Sequence, residues 1–215
     1  MQNPNNEPSV RLRMRNVTHH HHVNLNQHPL LLGLIKPHSS LVNYHKILCA
    51  YFEIYQLLEN RINLFLKATP CLFDYAERIK LPWLIQDLEF FQLYFTAQRS
   101  LTDKVTTLPE ITSIGHLVGV LYVLEGATLG GQFISGCLFK NHGLHSTQGA
   151  RFFTGYGERS SLMWQSFVEF SESINNNEVQ CDAAVVAASH TFKFFIQILD
   201  DHVHRELQFR HIHTS

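Results

Sequence analysis

Apolar residues recur along most of this chain with the period of a helix. The clearest stretch lies between residues 39 and 67, where Tyr44, Leu48, Tyr51, Tyr55, Leu58, Ile62 and Phe65 follow one another at steps of four and three. That spacing sets large side chains on one face of a single long helix, with Ser39 or Ser40 placed to cap its start. Val185, Ala188, Phe192, Phe195, Leu199 and Val203 mark a last long helix in the same way. A first helix is predicted from Val10 through His22, with Pro29 ending or redirecting it. Shorter helices are predicted over 72–78, from Pro82 to about Phe95, and over 162–174, with INNNE breaking the chain after that. Residues 97–110 and 141–150 read as connections, and Phe152-Phe153 lead into a glycine-rich turn. No window of useful length alternates with the period of a strand. The pattern therefore predicts an all-α fold, a single-domain bundle of about eight helices over 10–215, behind a loose polar tail at 1–9.

One further helix stands apart. In GHLVGVLYVLEGATLGGQFISGC, residues 115–137, the part from Leu117 to Leu124 is apolar on nearly every side, which predicts burial. Gly126, Gly130 and Gly131 follow inside what should still be helix. Each costs about 1 kcal/mol relative to alanine in a helix interior. Two explanations compete: a neighbouring helix comes very close, or the backbone must approach something flat or bulky.

Composition narrows the class. With 45% hydrophobic and 16% charged residues in 215, the chain is globular and long enough to bury a real core. A net charge of -1 with scattered basic residues gives no reason to expect nucleic acid. No uninterrupted apolar run reaches the roughly 18 residues that span a bilayer, because Glu125 interrupts the one candidate, and no basic-then-apolar leader opens the chain. Cys49, Cys71, Cys137 and Cys181 form no CxxC pair and read as small buried residues in a reducing cytoplasm.

The 15 histidines are the unusual feature. A di-metal carboxylate site in a helical bundle needs Glu-x-x-His pairs, and none exists; Asp201-x-x-His204 is a lone near-match. His202, His204, His211 and His213 form at most a surface cluster that captures metal adventitiously. The run His19–His22 points in four directions on a helix, so one or two of its members can face the interior. A haem held by one histidine, with a glycine-studded helix against its other face, would use both the histidine and the glycines.

The residues also carry a family resemblance. LYVLEGATLGGQ, residues 121–132, resembles the distal-helix segment of the bacterial biliverdin-producing haem oxygenases. Thr18-x-x-x-His22-x-x-Leu25 with His28-Pro29-Leu30-Leu31 resembles the proximal segment of that family. Tyr44–Glu59, then Phe152-Phe153 with Gly155-Tyr156-Gly157 and Trp164, then Ala187-Ala188-x-x-Thr191-Phe192 follow in the family's order. The resemblance implies haem as both cofactor and substrate, opened to biliverdin, carbon monoxide and ferrous iron with O2 and electrons from a reductase or ferredoxin. It implies His22 as the axial ligand, Gly126, Gly130 and Gly131 as the distal glycines, and Arg15 beside a haem propionate, with Arg11 and Arg13 as competitors. Two positions depart from the wider family. Ala127 stands where an aspartate follows the first distal glycine, and Asn26 stands one turn after His22 where an acidic residue is common. These departures sustain the alternative of a haem-binding or haem-sensing protein without turnover.

Overall fold

The computed structural model describes residues 8–69, 73–98 and 108–203, with backbone alone at 99, 100 and 204. Ser9, assigned above to the tail, instead opens the first helix. Its hydroxyl accepts the Leu12 N–H at 3.4 Å and caps α1 (Val10–Asn26). Pro29 does redirect the chain: α2 (Pro29–Ile35) starts there, capped by His28, whose Nδ1 accepts the Leu30 N–H at 3.3 Å. α3 (Leu41–Ala68) carries the long stripe, and Tyr44, Leu48, Tyr51, Tyr55, Leu58 and Ile62 are all buried. Ser40 holds the N-cap position without making a capping bond. Ser39 instead bonds His142 Nε2 at 2.8 Å, tying the start of α3 to a distant helix end.

The middle of the chain departs from the predicted pattern. Of the helix predicted over 72–78, a single 3-10 turn at Ala76–Arg78 forms among the described residues. The helix predicted from Pro82 to about Phe95 is two helices, α4 (Leu81–Phe90) and α5 (Tyr94–Ser100). They part at Gln92, in the left-handed region at φ 58°. The break lets the Phe91 ring turn onto Tyr44, at 5.9 Å between centroids, and onto His45 at 4.6 Å. Residues 97–100 of the predicted connection therefore belong to α5. α6 (Ile114–His142) runs from a Ser113 cap to Gly143 in the left-handed region at φ 69°. α7 (Arg151–Thr154) is one turn holding Phe152 and Phe153, and α8 (Ser160–Glu172) and α9 (Glu178–His204) follow it. Among the described residues there are nine α-helices and no strand.

α6 is the axis of the bundle. It packs along α9 more extensively than any other pair of helices packs, α1 covers another part of α9, and α3 closes the bundle against α9 and α4. Gly115 and Gly119 explain the tight fit. A Cβ at Gly115 would collide with the Gln180 carbonyl, and one at Gly119 with the Ala184 carbonyl. By length and mean composition α6 could cross a membrane, but Leu117, Val118, Val120, Leu121 and Leu124 are spent in the core.

Candidate functional site

The next glycines of α6 do something else. A Cβ on Gly126 or Gly130 would meet nothing within 4 Å, so no neighbouring helix requires them. Both line a cavity of about 580 Å³ between α1 and α6. That is within the range of small-molecule and cofactor pockets. Gly131 serves both explanations: it lines the cavity, and a Cβ there would press to 3.3 Å from the Phe153 carbonyl. Close helix packing thus accounts for Gly115 and Gly119, and an open flat approach remains for Gly126 and Gly130.

α1 forms the facing wall. Val10, Met14, Thr18 and Leu25 are its buried stripe. On the neighbouring face of the helix, Arg11, Arg15, His22 and Asn26 line the cavity. Of the four consecutive histidines, only His22 is in that wall; His20 and His21 stack on each other with centroids 3.7 Å apart. The His22 ring stands edge-on to Phe192 of α9 at 6.0 Å. Burial, and secondarily the neighbouring His19, lower its pKa, so the ring is neutral at pH 7, the form that binds a metal. Asn26 Nδ2 lies beside it, 3.5 Å from Nδ1 and 3.4 Å from Nε2. Arg13, one of the three candidate arginines, points away from the cavity and bonds Glu178 at 2.8 Å and Asp182 at 2.6 Å on α9. Arg11 and Arg15 are not ion-paired among the described residues.

Between these walls lie apolar side chains, Phe133, Ile134, Phe153 and Trp164 among them, with Ala127 presenting a methyl group. Tyr51 and Tyr122 are the hydroxyl-bearing residues of the lining, and burial raises the pKa of both, so both stay protonated. Thr128 does not line the cavity; its hydroxyl donates back to the Leu124 carbonyl at 3.0 Å. The arrangement offers a neutral imidazole, two guanidinium groups on the same wall that form no ion pair among the described residues, and a bare helix backbone opposite. That set fits a flat, largely apolar ring with a metal at its centre and carboxylates at its edge.

Residues 9–201 match the family model described as "Heme oxygenase". The chain belongs to the haem oxygenase family. It is 26% identical over 200 residues to a haem oxygenase of the fish Takifugu rubripes, covering 88% of this chain and 72% of that one. Its fold is similar to that of the haem oxygenase of Neisseria meningitidis, with a TM-score of 0.69 at 20% identity over 91% of this chain and 92% of that one. It is equally similar to haem oxygenase-1 of the cyanobacterium Synechocystis, solved in complex with haem, with a TM-score of 0.69 at 16% identity over 90% and 92%. The all-α haem oxygenase bundle expected from the sequence is the fold observed.

Other expectations for this haem oxygenase family member need correction. His202 is not a surface metal ligand. It is fully buried, and its Nε2 lies 2.9 Å from Glu53 Oε2, because α9 brings its last turns down onto α3. His211 and His213 lie outside the described residues, as does the His204 side chain, and no group of three metal-ligating side chains forms among the described ones. Asp87 and Glu125 are among the buried charged groups that were not recognised in the sequence. Asp87 of α4 accepts the Arg151 and Phe152 N–H groups at 2.7 and 2.8 Å, holding α7 against the cavity, and burial raises its pKa to about 6. Glu125, which read only as an interruption, is 2% exposed and surrounded by Arg78, Lys80 and Tyr156. No local signal marks these partners, since Arg78 is 47 residues away in the chain.

Proposed function

We propose that this chain is a haem oxygenase in activity as well as in family. Its substrate is haem, opened to biliverdin, carbon monoxide and ferrous iron with O2 and electrons from an external reductase or ferredoxin. The observation that carries the reading is the pairing of His22 on one wall with Gly126 and Gly130 on the other, across a cavity that the protein's own side chains leave open. Haem, when bound, supplies the iron that takes up O2 and the ring carbon that is oxidised.

The chain's own residues do the rest. His22 would hold the iron through its ring, which burial keeps neutral. Arg11 and Arg15 pair with the ring's carboxylates and fix its rotation in the pocket. Gly126 and Gly130, backed by Gly131, would let the α6 backbone approach the ring closely and exclude bulk water from that side of the cavity. With a methyl at Ala127 and the Thr128 hydroxyl committed to Leu124, proton delivery falls to water held against Tyr51 and Tyr122. Asn26 in place of a carboxylate makes the imidazole less electron-rich. A cytoplasmic location suits the electron donors proposed.

The test is the absorption spectrum of the haem-loaded protein before and after ascorbate or a ferredoxin system, with His22→Ala alongside. The Soret band decays and a biliverdin band grows. In His22→Ala, haem affinity falls by more than the roughly tenfold that loss of a ligand's supporting contact costs, and turnover is lost. A stable Soret band under reductant shows a haem-binding protein without turnover. No Soret band sinks the reading.

A further inference from the structure

Glu125 immediately precedes Gly126, and its side chain leaves α6 on a face that does not line the cavity. Its Oε2 accepts from Arg78 Nη1 and its Oε1 from Lys80 Nζ, each at 2.8 Å, and the Tyr156 hydroxyl sits 3.0 and 3.1 Å from the two oxygens. Arg78 also donates to the Met163 carbonyl at 3.1 Å and Lys80 to the Arg78 carbonyl at 3.1 Å. A second carboxylate, Glu59, accepts the Lys80 and Leu81 N–H groups at 2.6 and 3.2 Å. Arg78, Lys80 and Glu125 are each at most 3% exposed. A buried charge cluster of this kind contributes little net stability, and apolar residues of equal volume would serve as well. What it does supply is a fixed position, because three donors from two different segments must converge on one carboxylate.

That position matters on α6. The cavity side of the helix at Gly126 and Gly130 has no side chain to lean on anything. The opposite side is held at Glu125, at Thr128 and at Gln132. A Cβ at Gly155 would come within 2.7 Å of Thr128 Cγ2, and Gln132 Nε2 donates to the Gly157 carbonyl at 3.2 Å and the Ser160 hydroxyl at 2.8 Å. The steps of three and four between these residues make one face.

We propose that Glu125 is a positioning residue. Through Arg78, Lys80 and Tyr156 it sets the rotation and height of α6, and so the distance at which the Gly126–Gly130 backbone stands over the haem ring. This rests on the haem reading above. Two variants test it, Glu125→Gln and Tyr156→Phe; the second removes one neutral donor, leaves no charge unpaired and keeps the test open where the first does not fold.

Two readouts are needed. In the haem-free protein, amide exchange at 126–131 rises roughly tenfold while α3 and α9 amides stay at wild-type rates. In the ferrous carbon monoxide complex, the C–O stretching band broadens or splits, with haem affinity held within about threefold of wild type. Unchanged exchange at 126–131, or a rise shared by the whole molecule, overturns the proposal, as does an unaltered C–O band in both variants. Failure of the wild-type protein to take up haem overturns the proposed function instead, and the exchange measurement then still decides whether Glu125 holds α6.

Discussion

At the scale of the residue, glycines of one helix do opposite work. Gly119 exists because Ala184 is in the way, whereas Gly126 and Gly130 face open space. The same substitution therefore has opposite consequences. Gly119→Ala destabilises the fold by about 1–3 kcal/mol, the usual cost of overpacking. Gly126→Ala and Gly130→Ala raise the stability of the haem-free protein by up to about 1 kcal/mol each, since alanine is the better helix former. Yet each weakens haem uptake. Urea unfolding of the haem-free variants, set beside haem titrations, separates the two kinds. A loss of stability in Gly126→Ala equal to that in Gly119→Ala would return all of these glycines to helix packing. The sequence showed the density of glycines but not this division, because the division depends on what lies across from each.

At the scale of the element, the long helices and α8 were legible, and the short pieces between Phe73 and Ser100 were not. α3 and α9 each bury enough turns for the period to show, and α6 shows itself by a stretch apolar on nearly every side. The split between α4 and α5 follows from where Phe91 packs, on residues more than forty positions away, and no local pattern records it. The site was half legible in the same sense. His22 and the glycines carry family motifs, and Arg15 was named with Arg11 and Arg13 as competitors, but that Arg13 turns away from the cavity required knowing that α9 offers Glu178 and Asp182. The hold of Asp87 on α7 depends on pH. Its pKa is raised from 3.8 to about 6, so the folded state binds the proton more tightly than the unfolded chain. Its stabilising contribution is full below about pH 4 and is lost as pH rises through about 6, a change of up to about 3 kcal/mol. Urea midpoints of wild type against Asp87→Asn between pH 4 and 7 measure it: the wild type declines relative to the variant as pH rises. A difference that is flat across that range contradicts the burial argument.

At the scale of the whole molecule, the bundle is well filled along the α6–α9 contact and open between α1 and α6. A ligand that fills that opening binds the folded state alone and stabilises it by mass action, about 2.7 kcal/mol at a hundred times its dissociation constant. Haem, or a redox-inert metalloporphyrin that cannot be turned over, raises the melting temperature in proportion to the logarithm of its concentration. In His22→Ala the same titration gives a markedly smaller rise. A wild-type melting temperature indifferent to the porphyrin would show that the opening is not completed by such a ring.

The open wall at Gly126 and Gly130 has a consequence for the protein's lifetime. On the proposed reading, the molecule that completes the bundle is the one the bundle destroys. Each catalytic cycle removes the protein's own brace, so the chain is sturdiest when substrate is plentiful and most open to proteases when it has done its work. Its abundance would then follow the supply of haem with no regulator other than the shape of one helix face.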